Sequence, residues 1–150
     1  MLVFWLVVVA AVALAGSWVT LPKIPTWYAG LVKPSFTPPN ALFGPVWSAL
    51  YIMMAVAAWR AGVRSIAAAR TRAMALFVVQ LALNALWSQV FFGFESPKAA
   101  LVVIIALLVS LAAAVTVFWR IDRPAGLLLV PYLCWVGYAT ALNGAIVALN

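Results

Sequence analysis

One row of side chains in the middle of the chain combines two amides, a hydroxyl and two aromatic rings at helical spacing. Asn84, Trp87, Ser88 and Phe91 fall at i, i+3, i+4 and i+7, so they share one face of a helix, and Gln80 extends this row by one turn. Amides cannot be left unpaired in an apolar surrounding, so this face is predicted to point into a bundle. Such a row can hydrogen-bond and stack against a small apolar molecule.

Two further aromatic rows have the same spacing, one earlier and one later in the chain. The earlier row contains Trp47, Tyr51 and Met54, and the later row contains Pro131, Trp135, Tyr138, Ala139 and Leu142. Pro131 has no amide hydrogen to donate and is predicted to kink its helix near Trp135. Apolar walls with a few polar groups are typical of small-molecule sites, so the three rows predict one aromatic pocket.

The chain lacks the side chains that most enzymes and metal sites use. It has no histidine and one cysteine, Cys134, which excludes a His-based metal site and an intrachain disulfide. Cys134 is interpreted as a small residue facing lipid or a neighbouring helix, with a thiolate ligand to haem iron as the alternative. Glu95 and Asp122 are the only acids, and both lie in predicted turns, so no catalytic triad or carboxylate pair is available. No charge lies in the middle of an apolar stretch, which argues against an ion-coupled pump.

Five apolar stretches must position these rows. Of the 150 residues, 69% are hydrophobic and 7% are charged, whereas soluble domains carry about a quarter charged residues. Stretches of about 20 residues cross about 30 Å of hydrocarbon as helices. The sequence therefore predicts an all-α integral membrane protein, a single domain over residues 1–150, with spans at about 2–21, 41–61, 73–94, 97–119 and 124–149. The first span lacks a preceding basic region, so it is predicted to be a retained helix rather than a signal peptide.

Prolines and basic residues mark the connections. The five prolines from Pro22 to Pro39 exclude a regular helix there and predict a long loop between the first two spans. Ser96 and Pro97 predict the start of the fourth helix. The net charge is +7, but the cations lie at span ends, so they indicate topology and contacts with membrane lipids rather than nucleic acid. All six arginines share the side of the N-terminus, which predicts a cytoplasmic N-terminus if the protein lies in an inner membrane.

The tryptophans have a second interpretation, because tryptophan and tyrosine commonly mark the membrane interface. The tryptophans near span ends are assigned to that role: Trp5, Trp18, Trp59 and Trp119. Trp47, Trp87 and Trp135 lie deeper, in the half of the predicted bundle nearest the loop, and they are interpreted as pocket walls, with helix packing as the alternative. Asn84 and Gln80 are likewise either pocket groups or interhelical hydrogen-bond partners.

Several segments, in order along the chain, carry a family signature. They are Trp27-Tyr28, Leu31, Lys33-Pro34-Ser35-Phe36, Pro38-Pro39, Phe43-Gly44-Pro45-Val46-Trp47, Leu50-Tyr51, Gln80-Leu81, Leu83-Asn84, Trp87-Ser88, Phe91-Phe92-Gly93, Pro131-Tyr132-Leu133, Trp135, Tyr138-Ala139 and Leu142-Asn143. Together they resemble the translocator protein family, also called the TspO/MBR or tryptophan-rich sensory protein family and the peripheral benzodiazepine receptors.

This resemblance implies a five-helix bundle, a homodimer, and a ligand pocket beneath the first loop. It implies that the ligands are porphyrins such as protoporphyrin IX, haem, and synthetic benzodiazepine-site drugs, with no cofactor required and a link to tetrapyrrole regulation and stress responses. By motif position, Tyr28 matches a loop residue that closes over the ligand. The helical rows and the resemblance together predict ligand contacts at Trp27, Tyr28, Trp47, Tyr51, Asn84, Trp87, Ser88, Phe91, Trp135, Tyr138, Ala139 and Leu142.

One departure from the family pattern concerns cholesterol. The segment that follows Leu142-Asn143 contains neither the tyrosine nor the basic residue of the cholesterol-recognition motif of animal members. This argues against cholesterol binding at that segment. The missing motif, the short length and the compact loops indicate a bacterial member, located in the cell membrane.

Three functions remain in view at the level of sequence. The leading hypothesis is a receptor or sensor that stacks tetrapyrroles between tryptophans, with the propionates meeting Lys33 or Lys23. The second is an enzyme that degrades protoporphyrin IX in light and oxygen; the resemblance then assigns the pocket tryptophans Trp47 and Trp135 to that chemistry. The third is a transporter of porphyrin or lipid, which needs access from both sides of the membrane.

Overall fold

The computed structural model describes residues 1–150 and is built from five long helices without strands. They are α1 (Leu2–Thr20), α2 (Phe43–Arg64), α3 (Ala67–Ser88), α4 (Pro97–Ile121) and α5 (Arg123–Leu149). A π-helical turn, Gln89–Gly93, continues α3, and two short 3₁₀ turns, Tyr28–Gly30 and Asn40–Leu42, lie between α1 and α2. All five helices are long and apolar enough to cross a membrane, which confirms the predicted fold class.

The second and third helices extend further than predicted. Helix α2 continues to Arg64 and α3 already begins at Ala67, so only Ser65 and Ile66 connect them. Arg70 and Arg72 therefore lie in the first turns of α3 rather than in a loop. The segment that starts α3 is rich in alanine and arginine, which are good helix formers, and this propensity extends the helix beyond its apolar stretch.

The helices form a closed ring in which α1 packs on α2, α2 on α5, α5 on α4, α4 on α3, and α3 on α1. Helices α4 and α5 have the most extensive contact, and α1 makes none of note with α5. Antiparallel neighbours therefore bring residues that are far apart in sequence to the same depth. This arrangement leaves space between α1 and α5 at the end that the first loop covers.

The end of the bundle that holds the α2–α3 and α4–α5 turns, called the closed half here, is closely packed. Its members have no exposed surface: Met54, Ala55, Ala57, Ala58, Ala61, Ala73, Phe77, Leu111, Ala114, Phe118, Ala125 and Leu129. Small side chains on α2 let the neighbouring helices approach closely, while Phe77 and Phe118 stack with ring centroids 6.1 Å apart. In a bilayer the hydrophobic effect does not drive helices together, so close van der Waals packing of this kind stabilises their association.

The α4–α5 turn is the tightest connection of the closed half. A Cβ atom on Gly126 would lie 2.7 Å from the Cα atom of Trp119, so only glycine fits. Asp122 caps α5 by accepting a hydrogen bond from the amide of Ala125, and it also accepts one from Arg60 Nε at 2.7 Å. The hydrogen bond from Arg60 holds the pKa of the Asp122 carboxyl below its usual value. Ser96 occupies the cap position of α4, as predicted, but its hydroxyl makes no capping hydrogen bond.

The loop between α1 and α2 is tied down on several sides. Asn150 exchanges two hydrogen bonds with the backbone of Val32, at 3.0 and 2.8 Å, and the hydroxyl of Tyr138 donates to the carbonyl of Phe36. Lys23 pairs with Glu95, which lies in the α3–α4 turn. The loop therefore lies as a cover over one end of the bundle, here called the cavity half.

Candidate functional site

The cavity half contains a cavity of about 260 Å³ bounded by α1, α2, α3, α5 and the loop. Ten of the twelve residues predicted to contact ligand line it: Tyr28, Trp47, Tyr51, Asn84, Trp87, Ser88, Phe91, Trp135, Ala139 and Leu142. The helical rows read from the sequence thus converge on one space, although each comes from a different helix. The cavity is mostly apolar, with a few amides and hydroxyls, as small-molecule sites usually are.

Trp27 and Tyr138, the other two predicted contacts, lie outside the cavity. Trp27 packs behind its wall, with its ring centroid 5.6 Å from that of Phe91. Tyr138 lies on the outer side of α5, where it holds the loop through Phe36 and borders a separate surface depression with Pro38. Tyr138 shares a row with Trp135 by spacing, but the α5 face turned toward the cavity runs through Trp135, Ala139 and Leu142. Their position makes both residues supports of the wall and the loop.

One wall of the cavity was missed from the sequence, because α1 has no aromatic row. Ala13, Gly16, Ser17 and Thr20 of this helix line the cavity. The signal was present in Ser17 and Thr20, the only two hydroxyl residues of α1, which stand three positions apart on a common face. Further lining residues that the rows did not include are Leu21, Ile24, Asn40, Phe43, Gly44, Ser48, Phe92, Asn143 and Ile146.

The floor of the cavity is a hydrogen-bonded group from three helices. The hydroxyl of Tyr51 donates to Asn84 Oδ1 at 3.1 Å, and Asn84 Nδ2 donates to the hydroxyl oxygen of Tyr132 at 2.7 Å. Both polar atoms of Asn84 are therefore engaged in joining α2, α3 and α5. Gln80, one turn below, is fully buried, does not reach the cavity, and makes no interhelical hydrogen bond.

Trp87 is also engaged with a neighbouring helix. Its indole Nε1 donates to Asn143 Oδ1 of α5 at 3.1 Å, and Asn143 Nδ2 donates to the carbonyl of Pro97 at the start of α4. The ring of Trp87 stacks on Phe91 with centroids 5.2 Å apart. The π-helical turn that contains Phe91 and Phe92 places both rings in the wall, because its extra residue changes the angular spacing of the helix.

Trp47 and Trp135 form the opposite wall and differ from Trp87, because neither indole nitrogen donates to a protein acceptor. Trp47 lies against Tyr51 with ring centroids 5.6 Å apart, and Trp135 meets Phe43 at 6.2 Å. Both rings border the cavity. Two flat indole surfaces with free N–H groups are suited to a planar aromatic guest.

No charged side chain lines the cavity. The three close contacts of Lys33 Nζ are with backbone carbonyls, of Tyr28 at 2.8 Å, Leu31 at 2.9 Å and Ala29 at 3.4 Å, while Lys23 is paired with Glu95. Neither lysine borders the cavity in this conformation of the loop, and their contact with ligand propionates stays a prediction. Burial, with a smaller contribution from Tyr138, raises the pKa of Tyr28 above its ordinary value, so its hydroxyl stays neutral at physiological pH.

The five spans and the cavity define a class of protein, an integral multi-pass helical bundle with an apolar internal cavity under a loop. The chain belongs to the TspO/MBR family, whose model matches residues 4–149. This confirms the resemblance noted in the sequence, and it agrees with the five candidate membrane spans.

Relatives come from different domains of life. The tryptophan-rich protein TspO of Archaeoglobus fulgidus is 44% identical, over 99% of this chain and 96% of that protein. The tryptophan-rich sensory protein of Cereibacter sphaeroides is 38% identical, over 87% of this chain and 80% of that protein. The human translocator protein is 40% identical, over 78% of this chain and 70% of that protein. These names support a role as a membrane sensor or translocator.

Proposed function

We propose that this protein is a membrane sensor that binds tetrapyrroles, such as protoporphyrin IX and haem, and related hydrophobic small molecules in the cavity. The observation that carries the proposal is the pair of Trp47 and Trp135, whose rings face one apolar space from two helices. Burying a flat macrocycle against these indole rings is favourable at about 25 cal/mol per Å² of apolar surface, with a further contribution from stacking.

The size and charge of the site determine how such a ligand would lie. The loop between α1 and α2 covers the cavity and is tied down at several points, so we expect it to move aside when a tetrapyrrole enters. Since no charged side chain lines the cavity, the two propionates stay near the loop, and the pyrrole edge lies against the wall formed by Trp47 and Trp135. The ties of the loop to Asn150 and Tyr138 are the contacts that such opening would break.

The test is a titration of the purified protein with protoporphyrin IX in the dark. Saturable quenching of tryptophan fluorescence is expected, and the affinity should fall several-fold in Trp47→Phe and Trp135→Phe. Trp18→Phe is the matched control, because Trp18 is 85% exposed on the outer face of α1. If no saturable quenching occurs, or if all three variants bind alike, the tetrapyrrole proposal is wrong.

Illumination of the same samples separates sensing from degradation. If Trp47 and Trp135 take part in a reaction of the excited porphyrin with oxygen, wild-type protein will bleach protoporphyrin IX faster than either Trp→Phe variant. Equal bleaching by free porphyrin in detergent would leave sensing as the function. A transport role is less favoured, because the cavity lies at one end of the bundle, but vesicle uptake that is lost in Trp135→Ala would restore it.

The assembly and the location of the protein are proposed on separate grounds. We expect a homodimer in the cell membrane of a bacterium, in line with the family resemblance, the compact loops and the missing cholesterol-recognition segment. Cross-linking in native membranes, followed by fractionation of the cell envelope, measures both properties.

A further inference from the structure

The hydroxyl groups of the five helices divide into two sets. Eight serine and threonine residues lie within these helices, and five of them donate a hydrogen bond to a carbonyl three or four residues earlier in their own helix, at 2.7–3.1 Å. The five are Ser48, Thr71, Ser110, Thr116 and Thr140. This is the usual arrangement for a hydroxyl in an apolar surrounding, because it leaves no polar hydrogen unpaired.

The remaining three, Ser17, Thr20 and Ser88, do not donate to their own helices, and all three line the cavity. Ser17 and Thr20 are three positions apart on α1, so they share a face. Ser88 of α3 lies against the same part of α1, because its Oγ is 3.4 Å from where a Cβ on Gly16 would be, and Gly16 stands one turn before Thr20. A small patch of available hydroxyls therefore lies where α1 meets α3.

Three other polar side chains of the cavity already have hydrogen-bond partners. Asn84 and Trp87 are already engaged in interhelical hydrogen bonds, and Ser48 donates to Gly44. The wall formed by Trp47 and Trp135 supplies flat apolar surface and two indole N–H groups, but no charged side chain is present to neutralise an ion. A guest that satisfies this site is uncharged, has a planar apolar body, and carries an oxygen at one end.

We propose that Ser17, Thr20 and Ser88 form a hydrogen-bonding subsite that selects uncharged polycyclic ligands bearing a carbonyl oxygen. The carbonyl accepts hydrogen bonds from these hydroxyls, while the ring system lies against Trp47 and Trp135. The subsite rests on the proposed function only in using the same cavity as the ligand site, and it does not require that the ligand be a tetrapyrrole. A ligand carbonyl is preferred because its oxygen only accepts hydrogen bonds, and each of these three hydroxyls has a hydrogen to donate that its own helix does not use.

The test uses fluorenone and fluorene, two planar probes that differ chiefly by one carbonyl oxygen. Their binding is measured by equilibrium dialysis against the full-length protein in lipid nanodiscs, with empty nanodiscs subtracted to remove lipid partitioning. Ser17→Ala, Ser88→Ala and Thr20→Val each remove one hydroxyl. Ser48→Ala is the matched control, since Ser48 also lines the cavity but its hydroxyl is satisfied within α2.

We expect wild-type protein to bind fluorenone more tightly than fluorene, and each of the single variants Ser17→Ala and Ser88→Ala to lower fluorenone affinity by about fivefold, as loss of one hydrogen bond implies. Fluorene affinity should not change, and Ser48→Ala should behave as wild type with both probes. Equal affinity for the two probes, equal losses for both in the variants, or no saturable fluorenone binding would overturn the proposal. Protoporphyrin IX titration of the same variants keeps the two proposals separate, because tetrapyrrole binding can fail while the preference for the ketone remains.

Discussion

The closed half and the cavity half of this bundle are built from the same five helices, but one is closely packed and the other encloses a cavity. In the closed half, Ala55, Ala58 and Ala61 have no exposed surface and let α2 approach its neighbours closely. In the cavity half, the corresponding stretch of α2 carries Trp47 and Tyr51, and these side chains border an open space. Side-chain size along one helix therefore decides where the bundle closes and where it leaves room for a guest.

The two halves also handle polar groups differently. The closed half pairs Asp122 with Arg60 and Arg64 at its edge, and most of its other buried side chains are apolar. The cavity half uses interhelical hydrogen bonds through Asn84 and Asn143, which hold helices at fixed positions without filling the space between them. The comparison suggests that stability resides mainly in the closed half, while the cavity half sets the shape of the site.

The largest effect is expected from Gly126→Ala in the closed half. The new methyl group would overlap the backbone of Trp119, at 2.7 Å from its Cα, and backbone atoms cannot move aside cheaply. We expect a loss of about 3 kcal/mol in the free energy of unfolding, measured by thermal or denaturant unfolding in detergent. Gly137→Ala in the same helix is the control, because nothing lies within 4 Å of its Cβ position, and it should be neutral or stabilising by about 0.5–1 kcal/mol. Equal effects of both substitutions would contradict the tight α4–α5 packing.

A smaller effect is expected from Asn84→Leu in the cavity half. The substitution removes both hydrogen bonds of the floor and leaves the hydroxyls of Tyr51 and Tyr132 without their amide partner. We expect destabilisation by about 1–2 kcal/mol in the same unfolding assay, together with weaker ligand binding. Asn40→Leu is the comparison, because Asn40 lines the cavity but makes no side-chain hydrogen bond, and it should leave stability unchanged. A loss as large as that of Gly126→Ala would mean that the cavity half carries as much stability as the closed half.

The smallest effect concerns pH and Asp122. Because its pKa is lowered in the folded protein, mainly by the hydrogen bond from Arg60, its stabilising contribution is complete above the unfolded value of about 4. The contribution is lost as pH falls through the lower folded pKa. The melting temperature of wild-type protein should therefore decline below about pH 4, and the decline should be shallower in Asp122→Asn, which already lacks the ion pair. If the melting temperatures of the two proteins fall equally with pH, the ion pair of Asp122 does not contribute to the stability of the closed half.

Much of the fold and part of the site were readable from spacing. In hydrocarbon the backbone N–H and C=O groups must hydrogen-bond within the protein, and a helix satisfies all of them locally. The five apolar stretches therefore predicted five helices. The row from Asn84 to Phe91 pointed inward because an amide is costly in hydrocarbon. Spacing could not show that both polar atoms of Asn84 hydrogen-bond to Tyr51 and Tyr132, since those partners come from other helices. It also overextended the α5 row to Tyr138, whose hydroxyl holds the loop.

The sequence alone determined the number of helices, the class of protein and the side chains able to line an aromatic site, because these follow from composition and from the 3.6-residue period. The tertiary structure decided which of those side chains remain available to a ligand. Helix order around the ring brought α1 against α3, and so placed Ser88 against Gly16 of α1. Loop contacts engaged Lys23 and Lys33 elsewhere. These outcomes depend on which helices become neighbours. The sequence of one helix determines this only weakly, because lipid tails are as apolar as the helix surface and the hydrophobic effect does not select a partner.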